Sequence, residues 1–184
     1  MKITALFRRA LCILLLVPAG CTGVPEGLEP VGNFSLERYL GTWYEIARIP
    51  NSFEKDFEEV SATYTLSEDG SVRVENRGYD GRKQEWKSVK GRAKFAGAAD
   101  RGALEVSFFG PFYASYNVLV LDPEYRWALV SGHDRDLLWI LGRSPVMEEG
   151  LYDELRKKAA AMGFDASKIR RVARTGANNK NGGQ

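Results

Sequence analysis

Val60-Ser61-Ala62-Thr63-Tyr64-Thr65-Leu66 alternates apolar and polar side chains without interruption. Successive side chains of a strand point to opposite faces, so this spacing predicts a strand with one face in a core and the other in water. The pattern continues downstream. Val72 and Val74 alternate with Arg73 and Glu75; Val89, Gly91, Ala93 and Phe95 with Lys90, Arg92 and Lys94; and Leu104, Val106 and Phe108 with Glu105 and Ser107. Asp69-Gly70 and Asp80-Gly81 separate the runs and are hairpin signals, because both dipeptides tolerate positive φ. Longer breaks fall at 97–100, 122–124 and 133–136. Strands are therefore expected at about 41–49, 58–67, 71–79, 84–96, 102–109, 113–121, 126–132 and 137–143. Sequential antiparallel strands with short turns form a meander, and closing the meander removes its edges. The expected fold is all-β, an eight-stranded antiparallel up-and-down barrel, about wide enough for one small ligand. One C-terminal helix is expected on its outside. Pro145 ends the last strand, Glu148 and Glu149 favour a helix start, and Leu151, Leu155 and Met162 recur at helical spacing near Tyr152 and Ala159. Gly163 reads as the helix C-cap, and 168–173 as a short added strand.

The two ends of the chain read differently. Lys2, Arg8 and Arg9 precede an apolar run, Ala10 to Val17, that is far shorter than a spanning helix needs. Ala19-Gly20-Cys21 follows and resembles the lipobox of bacterial lipoproteins, whose cysteine is acylated and becomes the new N-terminus. Pro18 departs from that pattern, which usually has Leu, Val or Ile there. Ordinary cleavage after Ala19 is the alternative and would leave a free thiol at Cys21. Thr22, in place of an Asp after the cysteine, favours the outer membrane. The expected organisation is a signal peptide at 1–20, an anchor and extended tether at 21–32 carrying Pro25, Gly27 and Pro30, a barrel domain at 33–173 and a disordered tail at 174–184. Cys12 lies in the signal, so the processed chain keeps Cys21 alone, without an internal disulfide, a catalytic cysteine or a Cys-rich metal site. Losing Lys2, Arg8 and Arg9 lowers the formal net charge from +2 to −1, which does not suggest a nucleic-acid surface.

Gly41-Thr42-Trp43-Tyr44 opens the first strand, Asp122-Pro123-Glu124-Tyr125 joins the sixth to the seventh, and Arg143 ends the eighth. In this order the three motifs resemble those of the lipocalin family. Longer stretches resemble its apolipoprotein D-like branch, which contains bacterial outer-membrane lipoproteins: 38–48, 106–113, 116–118 and 134–141, so that the likeness covers roughly 33–173. The resemblance implies that Gly41, Trp43 and Arg143 form the structural signature, with the arginine packed across the tryptophan to close the barrel's base. It also implies binding of lysophospholipids or fatty acids, anchorage to the periplasmic face of the outer membrane, and lipid storage or transport under membrane stress.

Strand parity supplies the candidate ligand cavity: Ala62, Tyr64, Val74, Asn76, Val89, Val106, Phe108 and Trp139. Each of these also suits a filled core. Ala62, Gly91 and Ala93 are expected to leave room. Phe108, Phe109, Phe112 and Tyr113 surround Gly110-Pro111 and form either a lip at one mouth, able to pair two copies as a homodimer, or a plug. Arg73, Arg77 and Arg82 are candidates to meet a phosphate headgroup, or are simply solvated. The single histidine, His133, stands beside Asp134 without a nucleophile motif, so no catalysis, metal or cofactor is expected. Two other readings remain: an interaction lipoprotein with a filled barrel, and a carrier of a rigid chromophore such as a bilin or haem.

Overall fold

A computed structural model of the chain describes residues 22–52, 54 and 56–174. The signal segment 1–20, the lipidation candidate Cys21 and the tail from 175 onward lie outside the described residues. A short helix α1 (Leu36–Tyr39) precedes the strands β1 (Gly41–Arg48), β2 (Phe57–Leu66), β3 (Val72–Asp80), β4 (Glu85–Phe95), β5 (Ala103–Phe109), β6 (Phe112–Leu121), β7 (Trp127–Ser131) and β8 (Leu138–Gly142). Helix α2 (Glu149–Ala161) and a two-residue strand β9 (Arg170–Arg171) follow. Each of the eight main strands ends within one residue of its expected bounds. All neighbours are antiparallel, and β1 pairs with both β8 and β2, which closes the barrel. The meander alternates direction, so one end carries α1 and the β2–β3, β4–β5 and β6–β7 loops. The other end, the mouth, carries the β1–β2, β3–β4, β5–β6 and β7–β8 loops.

The closed end is built around Arg143. Its guanidinium lies 4.0 Å over the Trp43 ring. Its nitrogens donate to the carbonyls of Thr42 at 3.0 Å, Arg38 at 2.8 Å, Tyr39 at 3.1 Å and Tyr125 at 3.3 Å. Gly41 sits at φ 92°, and a Cβ there would stand 3.3 Å from Arg143 Nη1, so both the turn into β1 and the arginine's approach favour glycine. Trp43 is fully buried, stacks on Tyr39 at 4.6 Å and donates its indole N–H to the Tyr39 carbonyl at 2.8 Å. Ser35 caps α1, its hydroxyl accepting from the Arg38 amide. Tyr125 accepts from the Ser35 amide at 2.9 Å and so ties the β6–β7 loop to the same knot.

The turns follow local chemistry with one departure. Gly70 adopts φ 80° in the β2–β3 turn, as its dipeptide predicts. In the β3–β4 turn the positive φ falls on Gln84 instead of Gly81. The Asp80 carboxylate accepts from the amides of Arg82 and Lys83, and this side-chain cap lengthens the loop beyond a two-residue hairpin.

Helix α2 buries Tyr152, Leu155 and Ala159 against the outward side chains of Ile46, Leu129 and Ile140, forming a second core outside the barrel. After it the chain returns to β1. Strand β9 pairs with Ala47 and Arg48, and the Val172 amide donates to the Ile46 carbonyl. Glu59, at φ 50° in a bulge of β2, donates its amide to the Ala173 carbonyl. The C-terminal segment thus fills the seam where the upper halves of β1 and β2 diverge.

Hydrogen bonds from a charged donor contribute about 1.5–3 kcal/mol, and a cation over an aromatic face about 0.5–2 kcal/mol. Replacing Arg143 by Ala is therefore expected to lower unfolding stability by about 3 kcal/mol in urea titrations followed by tryptophan fluorescence. Arg143→Lys should recover less than half of that, because an ammonium lacks the planar fork.

Candidate functional site

Register decides which side chains face inward. Tyr64, Val74 and Gly91 stand in one row; Ala62, Asn76 and Val89 in the next; Val72, Ala93 and Val106 in a third. Tyr64, Val74 and Ala93 belong to the same buried cluster as Trp43, Leu104 and Val118, and that cluster fills the closed half. Exposure then changes along the barrel axis. Tyr64 and Val74 are buried, whereas Ala62, Asn76, Val89, Val106, Phe108 and Trp139 are partly exposed although they point inward. Tyr64 and Val74 thus belong to the packed floor, and Ala62, Val106, Phe108 and Trp139 pack against that cluster while keeping part of their surface exposed.

The floor carries three phenols. Tyr39 and Tyr116 share a hydrogen bond at 2.6 Å, and Tyr64 packs against both rings. Burial, above all, raises all three hydroxyls beyond the ordinary tyrosine value, so they remain protonated. Sequence reasoning did not assign Tyr39 or Tyr116 to the interior. Tyr116 shares the inward parity of Val118, and that was the available signal. Higher up, the Asn76 side-chain oxygen is buried without a hydrogen-bond partner, a polar handle between Ala62 and Val89.

A charged cluster crosses the mouth side of the interior and was not anticipated. Glu45 faces Leu141, and Arg48 faces Trp139 across the β1–β8 ladder, so both point inward. They form an ion pair at 2.6 Å and are 3% and 6% exposed. Arg48 also donates to the Phe57 carbonyl at 2.8 Å and to the Glu54 carbonyl. The Glu54 carboxylate accepts from Trp139 Nε1 at 2.9 Å and from Asn51 at 3.0 Å. This network staples the β1–β2 loop across part of the mouth and fixes the Trp139 ring. Glu45 was detectable in principle, as a charge two residues from inward Trp43. Arg48 was not, because the ladder slips between Glu45 and Ala47.

Other expectations change on inspection. The room at Gly91 is not free: a Cβ there would meet the Phe108 ring at 2.7 Å and the Ser107 carbonyl at 2.4 Å, so the glycine accommodates that ring. Arg73 and Arg77 lie on the outward face of β3, where Arg77 covers Trp86 at 4.2 Å. Arg82, in the β3–β4 loop, bonds to Asp56. None of the three reaches the interior. His133 pairs with Asp134 at 3.1 Å in the β7–β8 loop. Among the described residues no cluster of His, Cys, Asp and Glu has the arrangement of a metal site. Two grooves lie outside the barrel: one of about 420 Å³ between Tyr44, Ser61, Glu75, Arg77 and Trp86, and one of about 550 Å³ beside Arg82 and Arg171. Polar and apolar groups share both linings, with Glu75, Arg77 and Arg174 at the first and Asp56, Glu58 and Arg82 at the second.

Burial of Glu45, reinforced by the Glu54 carboxylate and opposed by Arg48, raises its pKa from the ordinary carboxyl value to about 8. A carboxyl harder to ionise in the folded than in the unfolded chain stabilises the fold in its protonated form. That contribution is complete below the unfolded value of about 4.5 and is lost as pH rises through about 8. Urea stability is therefore expected to decline between roughly pH 5 and pH 9, and Glu45→Gln should flatten the decline. An equal decline in the variant would assign it to other groups.

Residues 34–174 match the family model described as "Lipocalin-like domain". The chain is 47% identical over 169 residues to "Outer membrane lipoprotein Blc" of Escherichia coli (strain K12), covering 92% of this chain and 96% of that one. It is 36% identical over 148 residues to "Apolipoprotein D" of Mus musculus, covering 74% and 75%. Among solved structures, insecticyanin from the tobacco hornworm Manduca sexta superposes with a TM-score of 0.69 at 22% identity, covering 84% of this chain and 88% of that one, a likeness of fold. With its closed eight-stranded barrel and the Arg143–Trp43 lock, this chain belongs to the lipocalin family.

Proposed function

We propose that this lipocalin is an outer-membrane lipoprotein, held through acylated Cys21 on the periplasmic face, and that its barrel binds lysophospholipids or fatty acids for lipid storage or transport during membrane maintenance. The observation that carries this reading is the partial exposure of inward-facing Ala62, Val89, Val106, Phe108 and Trp139 above a packed floor. A pocket with this lining favours an alkyl chain by about 0.8 kcal/mol per buried methylene, before the costs of ordering. The unpaired Asn76 side-chain oxygen and the Glu45–Arg48–Glu54 cluster supply polarity near the mouth, where a headgroup would remain. The likeness to the Escherichia coli outer membrane lipoprotein supports the location. On this reading the protein binds and does not catalyse: His133 and Asp134 sit in a mouth loop, apart from the interior row.

A filled barrel with an interaction role is the second reading. The tyrosine floor and the Phe108 ring over Gly91 favour it, since both consume interior volume.

Native mass spectrometry of the chain beginning at Thr22, purified from bacteria, separates the two. Lipid carriage predicts a stoichiometric adduct that fragments to a lysophospholipid or fatty acid, whereas a mass that stays bare after incubation with both would contradict it. Trp139→Ala is expected to weaken lipid binding by a larger free energy than it removes from folding, and equal losses would count against the assignment. Val89→Trp gives an independent check. In an open interior it should abolish uptake with little loss of stability. In a filled one it would overpack the core and destabilise by about 1–3 kcal/mol.

A further inference from the structure

Phe109 and Phe112 pair across the Gly110-Pro111 turn at the mouth and are 77% and 75% exposed. Two adjacent aromatic rings this exposed are unusual on a surface that meets only water. What faces them is indicated by the path of the N-terminal segment. The Gly23 amide donates to the Ser115 hydroxyl at 2.6 Å, and its carbonyl accepts from the Asn117 side chain at 2.9 Å. The Glu26 carbonyl accepts from Arg135, in the β7–β8 loop at the mouth, at 2.7 Å. Val31 donates to the Val118 carbonyl at 2.9 Å and accepts from Gly102 at 2.8 Å. The segment therefore climbs the outer wall from the closed end toward the mouth instead of hanging free.

This path sets where an anchor leaves the domain. Ser115 lies three residues from Phe112, about 10 Å along the strand. The described chain begins at Thr22, one residue from Gly23, and each further residue adds at most about 3.6 Å of reach. A free tether of residues 22–32 would instead reach up to about 38 Å and let the mouth point anywhere.

We propose that the mouth of the barrel docks on the bilayer that holds the anchor, with Phe109 and Phe112 in the interfacial layer, so that the interior opens toward lipid instead of water. The proposal rests on the reading of Cys21 as the acylated anchor. Interfacial aromatic side chains are a usual means of shallow membrane attachment, and an acyl anchor beside them supplies the second contact that stable docking needs. A ligand would then exchange between barrel and bilayer without crossing the aqueous phase.

The test uses the full acylated chain reconstituted into phosphatidylethanolamine–phosphatidylglycerol vesicles. Acylation alkylates the Cys21 sulfur, so a single introduced cysteine takes an environment-sensitive dye: Phe112→Cys at the mouth or, as control, Glu68→Cys in the β2–β3 loop at the closed end. Docking predicts blue-shifted emission and quenching by brominated lipid at position 112 only. Quenching at 68 only, or at neither site, would overturn the proposal. So would emission at 112 shielded from both brominated lipid and aqueous iodide, which would assign the aromatic pair to a second copy of the chain. A double variant, Phe109→Ser with Phe112→Ser, is expected to slow transfer of a fluorescent lysophospholipid between vesicles at least tenfold while changing its equilibrium affinity less than twofold. Unchanged transfer would contradict the proposal. A chain whose mass lacks acyl groups, or that docks but takes up no lipid, would instead refute the anchor or the carrier reading respectively, and each is read separately from docking.

Discussion

The barrel depends on one planar cation laid across one buried indole. Arg143 comes from the end of β8 and Trp43 from the start of β1, the two strands whose pairing closes the sheet. The guanidinium also collects the carbonyls of Arg38 and Tyr39 in α1 and of Tyr125 in the β6–β7 loop, and so ties both to the end of the closed barrel. Closure, basal packing and the tie to α1 and this loop are therefore one interaction. Because it confines tight packing to one end, the other end is free to remain open.

The interior is accordingly divided. Aromatic side chains occupy the closed half, where the Tyr39 ring meets Trp43, Tyr64 and Tyr116, and Tyr64 meets Tyr116. The half toward the mouth is lined by smaller or partly exposed residues and crossed by a buried ion pair held by the β1–β2 loop. A second core beneath α2 packs on β1, β7 and β8 from outside. Ion pairs buried in this way cost desolvation, and removing one partner usually destabilises more than removing both. Arg48 holds the loop through the Glu54 and Phe57 carbonyls, and the Glu54 carboxylate holds Trp139.

Much of this organisation was legible in the sequence because strand parity is a local property. Alternation from Val60 to Leu66 and from Val72 to Glu75 located strands and faces together, and the barrel-facing stripe of α2 followed from its spacing. The signature of Gly41, Trp43 and Arg143 was legible by resemblance, whereas the contacts that make it a lock join the start of β1 to the end of β8 and leave no local pattern. What escaped was non-local or depended on slips in register. Bulges within β1, β5 and β6 shift parity, which hid Arg48 and obscured how Phe108 lies over Gly91. Exposure along the barrel axis was also illegible, since Tyr64 and Ala62 share parity and differ only in height. The docking of residues 23–31 on β6 left no periodic trace, as its bonds run through single backbone groups.

The central claim is that an alkyl chain occupies the half of the barrel toward the mouth, above the tyrosine floor. A crystal structure of the domain with a fatty acid brominated at its terminal carbon tests this most directly. The account predicts an anomalous bromine peak inside the barrel, among Ala62, Val89 and Trp139 and above the Tyr116 hydroxyl. A peak in the outer groove between Tyr44 and Trp86, or an interior without electron density beyond the side chains, would contradict it.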